Sequence, residues 1–150
     1  VLKLLGAKPL GNRDVAHVLR VLDADPVATC MVAARVQESG LDPRSFHGEM
    51  WSRGGPDESL CFYGANLVPL LGSSDDLRSF ADRACRGPRL CSSLVGRAEL
   101  TLPLWRCSRP TGARLGKFAV SSHCWPRRFD RRSRPIRTYV SFAQRNWTCI

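Results

Sequence analysis

The stretch that decides the fold is residues 59–95, SLCFYGANLVPLLGSSDDLRSFADRACRGPRLCSSLV. It opens with a nearly continuous apolar run, Ser59–Leu71, which suits a strand covered on both faces. We read this run as one central strand, with Gly64 marking a bulge and Pro69 near its end. Ser73-Ser74-Asp75-Asp76 then starts a helix, and Ser73 with Asp76 fits a capping box. Leu77, Phe80, Ala81, Ala84 and Cys85 fall at i, i+3, i+4, i+7 and i+8. They form the apolar face of the cleanest amphipathic helix in the chain, with Asp76, Arg83 and Arg86 expected outward. Gly87-Pro88 stops the helix. Leu90–Val95 reads as a further short strand. A strand, a helix and a strand in succession predict helices packed on a small sheet, an α/β or α+β domain.

Working outward toward the N-terminus, Gly54-Gly55-Pro56-Asp57 is a strong turn signal. Before it, Phe46–Arg53 alternates weakly and fits a strand. Asp25-Pro26 starts a helix, since Asp caps and Pro is tolerated at the first helical position. This helix runs through Val27, Cys30, Met31, Ala34 and Val36 to Gly40, and its several apolar faces predict burial. Asn12 or Asp14 caps an earlier helix, whose face is Val15, Val18, Leu19 and Leu22. Val1–Leu5 reads as a short strand. Toward the C-terminus, Ala98–Trp105 is a closing helix or an extended arm. The predicted order is β-α-α-β-β-α-β, and some 105 residues bury a workable core.

The charge is distributed unevenly. Formal net charge is +10. Residues 1–105 are balanced, whereas residues 106–150 set eleven basic side chains against Asp130 alone. Beyond Trp105 no helical or strand period holds over a useful window, so 106–150 is expected to be a disordered tail following a domain at 1–105. The seven cysteines include no C-x-x-C pair and no zinc-ligand spacing. No apolar run approaches the roughly 20 residues of a membrane helix. With no signal-like leader, the expectation is a reduced, cytoplasmic protein without a membrane partner, whose cysteines are small apolar fillers.

Three stretches carry a resemblance: LDADPVATCMVAARVQESGLDP at Leu22–Pro43, GANLVPL at Gly64–Leu70, and RLCSSLVG at Arg89–Gly96 with LPLW at Leu102–Trp105. Together they resemble the N-terminal DUF4081 domain of bacterial GCN5-related (GNAT) N-acetyltransferase-like proteins. The resemblance implies a degenerate GNAT-like half domain that precedes a catalytic GNAT domain as its partner. That family binds the pyrophosphate of acetyl-CoA on an R/Q-x-x-G-x-G/A loop entering a helix, because close backbone approach needs glycine. The nearest match is Arg109-Pro110-Thr111-Gly112-Ala113-Arg114, where Arg114 occupies the small-residue position. The expectation is therefore no catalytic, cofactor-binding or metal residues in this chain, and no activity by itself.

The genetic code adds a test of the tail. In a shifted frame each codon joins the last base of one codon to the first two of the next. Through His123-Cys124-Trp125-Pro126 this forces L-L-A, and through Asn146-Trp147-Thr148 it forces L-D. The shifted text is compatible with WGPAREVR between Thr111 and Val120 and with DPYVRLVRPAELD between Pro135 and Thr148. Both resemble the continuation of the family, so the reading frame is expected to change near Trp105.

Two other readings compete. Arg127, Arg128, Arg131, Arg132, Arg134 and Arg137 would bind nucleic acid or another polyanion non-specifically, by charge. Asn66 at a strand end, with Trp51 nearby, would make a partner or ligand surface; against it, buried aromatics usually fill cores. His17, His47 and His123 have no carboxylate or nucleophile placed beside them by spacing.

Overall fold

A computed structural model describes residues 6–87 and 90–108, and the backbone of 139–143. The strands are β1 (Lys8–Pro9), β2 (Glu49–Ser52), β3 (Leu60–Tyr63), β4 (Asn66–Leu71), β5 (Ser93–Arg97) and β6 (Tyr139–Ala143). The helices are α1 (Val15–Leu22), α2 (Pro26–Ser39), α3 (Pro43–Phe46), α4 (Ser74–Arg86) and α5 (Ala98–Cys107). The strands form one sheet in the order β1-β2-β3-β4-β5-β6, in which only β4 and β5 run parallel. The chain is α+β, as its pattern predicts.

The sheet carries a core on each face. Met50, Leu60 and Phe62 point to one side and pack with Val18, Leu22, Val32, Val36, Leu41 and Phe46. Trp51, Cys61, Tyr63, Leu67 and Leu94 point to the other and pack with Leu77, Phe80, Ala81, Ala84, Leu104 and Trp105. The alternation of strand side chains thus sorts neighbours into opposite cores.

Two expectations are corrected. Ser59–Leu71 is not one strand but the hairpin β3–β4. Gly64 sits in its turn, where a Cβ would lie 2.7 Å from the Phe62 ring and 3.1 Å from the His47 carbonyl oxygen. Only glycine fits so close a backbone approach. The order becomes β-α-α-α-β-β-β-α-β-α-β, with α3 at Pro43–Phe46 and α5 confirmed as a helix. The edge strand is Lys8–Pro9, and the strand expected at Val1–Leu5 lies outside the described residues. Second, the buried face of α2 is Thr29, Val32 and Val36, whereas Val27 and Met31 are 81% and 78% exposed. Helix α5 ends at Cys107, and Tyr139–Ala143, within the stretch expected as a tail, pair with β5 along its whole length. The rest of that expectation lies outside the described residues.

Candidate functional site

Strand β4 leads through Gly72 and Ser73 into α4, beside the parallel strand β5. A strand-to-helix turn of this kind is where backbone N–H groups can be offered to a phosphate. Here the chain fills the position itself. The Asp76 carboxylate accepts the Ser73 amide N–H at 2.8 Å and the Ser73 hydroxyl at 2.7 Å. In return Ser73 Oγ accepts the Asp76 amide at 3.4 Å, completing the capping box. The other Asp76 oxygen accepts from Arg53 Nη1 at 3.3 Å. Ser59 Oγ accepts the Arg53 amide at 2.7 Å and donates to the Arg53 carbonyl at 2.9 Å.

Asp76 is therefore turned inward, contrary to the helix-face expectation. Burial pushes its carboxyl up, but the Ser73 hydrogen bonds and the Arg53 guanidinium outweigh that, and the carboxyl lies below its ordinary value. Asp75 adds a second carboxylate in the same helical turn. An incoming pyrophosphate would meet two negative charges at this helix start, so these residues do not fit one.

A second polar cluster surrounds Trp51. The indole is buried, stacks on Tyr63 at 4.3 Å between centroids, and donates from Nε1 to Glu49 Oε2 at 2.5 Å. Arg83 lies over the indole at 5.0 Å, and donates to Glu49 at 3.3 Å and to the Ala7 carbonyl at 3.1 Å. Arg83 thus clamps the N-terminal segment to the core instead of facing solvent. Trp51 is a core pillar. Asn66 is exposed at the start of β4, where its Oδ1 accepts the Ser93 hydroxyl at 2.5 Å. The run Arg127–Arg137 lies outside the described residues.

Spacing gave no partner to His17, yet its Nε2 lies 2.5 Å from Asp57 of the β2–β3 turn. Both are surface groups. Among the described residues no group of three or more His, Cys, Asp or Glu side chains could hold a metal, and no helix is long and apolar enough to cross a membrane. Cys61 and Cys91 are buried fillers, as expected, whereas Cys30 and Cys107 are exposed. Burial, with Cys91 nearby, raises the Cys61 thiol well above its ordinary value, which makes it unreactive.

Residues 48–117 match DUF4081, a domain of unknown function. Two of the three quoted stretches, Gly64–Leu70 and Arg89–Trp105, fall inside this DUF4081 match, and Leu22–Pro43 precedes it. The match also runs past Trp105, so the resemblance does not end where the tail was expected to begin. No curated protein and no solved structure matches the chain.

Proposed function

We propose that this chain is the accessory, N-terminal part of a GNAT-family N-acetyltransferase-like protein and does not itself transfer acetyl groups. The intact parent would move an acetyl group from acetyl-CoA to an amine in a following catalytic GNAT domain. The DUF4081 match over 48–117 supports the first half of this reading. The observation that carries the second half is the Asp76 carboxylate at the entry to α4, bonded to Ser73 and Arg53. No step of acetyl transfer is assigned to these residues.

The reading includes a change of frame near Trp105. The forced L-L-A and L-D support it. Resequencing the gene checks this part. For the protein, calorimetry with acetyl-CoA at physiological salt is the test. We expect no saturable heat, or a millimolar association abolished by moderate salt, because the basic tail attracts phosphates by charge alone. Micromolar, salt-resistant binding would overturn the proposal. A second reading, polyanion binding by the tail, is favoured by the concentration of positive charge in residues 106–150. It predicts retention on heparin that falls steeply with salt.

A further inference from the structure

The two edges of the sheet are not equivalent. At one edge, β1 is a two-residue strand ending in Pro9, whose missing N–H blunts it against further pairing. At the other, β5 is a five-residue strand held on its inner side by only two partners, Asn66↔Ser93 and Leu67↔Leu94. Pro69, two residues further along β4, has no N–H to extend that ladder. On its outer side β5 is paired along its full length, from Ser93↔Ala143 to Arg97↔Tyr139. The added strand holds more of β5 than the inner neighbour does.

The strand that arrives there comes from a distance. Residues 108–138 separate it from the end of α5. A connection of that length reaches about 100 Å when extended, so it does not dictate which edge is used. The arriving text is YVSFA at Tyr139–Ala143; the shifted-frame text compatible with YVRLV is read from the overlapping codons of Arg137–Phe142 and is an equally strand-forming sequence. Strand addition draws its affinity from main-chain hydrogen bonds, which both texts supply. The outer end of β5 is also tied to α2: Arg97 pairs with Asp25, the cap of that helix. The exposed Val27 follows Asp25 by two residues, with Met31 one helical turn beyond.

We propose that the outer edge of β5 is a strand-acceptor site. Its occupant in the frame-restored chain is the extended segment YVRLV that opens the following domain, so one sheet runs through both. This rests on the reading of the chain as an accessory domain with a changed frame. The site takes an extended, alternating peptide antiparallel to Ser93–Arg97.

The test uses the full 150-residue chain. Alternate N–H groups of an edge strand point into the ladder and out to solvent, so of Val140→Pro and Ser141→Pro only one removes a ladder hydrogen bond. Amide hydrogen exchange is followed at Ser93–Arg97. One variant should speed exchange there by about tenfold, the worth of one hydrogen bond near the top of its usual range, and the other should not. Adding the synthetic peptide DPYVRLVRP at millimolar concentration should restore protection, and a scrambled peptide should not. If neither variant changes β5 exchange, or if the peptide restores nothing, the acceptor edge is refuted. Should the disrupting variant not fold alone, the peptide is present during refolding; recovery of the folded signal is then the expected result and its absence the refuting one. Failure of the frame reading would show in the gene, and failure of the acceptor edge in the exchange rates, so the two are separable.

Discussion

Replacing Asp76 with alanine removes three interactions at once. The α4 cap loses its reciprocal partner, the Ser73 hydroxyl and amide lose their acceptor, and Arg53, whose side chain is only 20% exposed, loses the Asp76 carboxylate. Loss of a helix cap costs about 1 kcal/mol. Hydrogen bonds to a charged group are worth about 1.5–3 kcal/mol each, but here the carboxylate retains 13% exposure and part of that is returned by water. We expect Asp76→Ala to lose about 2–4 kcal/mol in urea denaturation, against a total of about 5–15 kcal/mol for a small domain. Asp76→Asn keeps an acceptor and should lose less. In a double-mutant cycle with Arg53→Met the two losses should not add, because the partners share one interaction. An Asp76→Ala variant within about 0.5 kcal/mol of wild type, the usual range for a surface change, would show that the network is incidental.

The same network sets an acid limit. The folded-state carboxyl lies below its ordinary value, so between the two values the unfolded chain binds more protons and stability rises with pH. The contribution of Asp76 is whole above the unfolded value of about 4 and is lost as pH falls through the folded one. In Asp76→Asn this part of the acid dependence should vanish, which urea midpoints taken between about pH 2 and 6 would read directly.

Two further perturbations address the packing. Phe80 is fully buried against the sheet, so Phe80→Ala should cost about 3–5 kcal/mol, and a thermal melt matching wild type would refute the face assignment of α4. On α2, Met31→Lys should leave stability within about 0.5 kcal/mol, whereas Val32→Lys, one residue on, should remove most folded protein by burying an unpaired ammonium. Equal effects of the two lysines in circular dichroism melts would contradict the orientation of that helix.

Much of the α4 region was legible because its signals are local. Ser73, Asp76 and the i, i+3, i+4 spacing of Leu77, Phe80 and Ala81 lie within a few residues of one another, and the capping box is present as read. What spacing hid was the reach of two side chains. Arg83 lies on the polar arc of the helix by sequence, yet bends over Trp51 to bond Ala7 and Glu49. Its long stem lets a charged head bridge elements that are distant in the chain. Arg53 meets Asp76 for the same reason, from 23 residues away. Nothing in the periodicity of either segment encodes those meetings.

The hairpin β3–β4 was concealed by the very property that makes it central. A strand with one wet face alternates, and a reversal of direction shows as a polar break. Here Leu60 and Phe62 serve one core and Cys61 and Tyr63 the other, so both faces are apolar and the alternation disappears. Gly64 and Ala65 then interrupt the run too briefly to look like a turn. The distinguishing signal was Gly64 followed closely by Asn66, turn-compatible residues inside an apolar run, which fits a bulge as well as a tight hairpin. What decides between them is tertiary: the Gly64 amide donates to the Asn66 carbonyl at 3.0 Å, while the Phe62 ring and the His47 carbonyl close over the position a side chain would need. The residue that permits the reversal is therefore required by neighbours that only the finished sheet brings together.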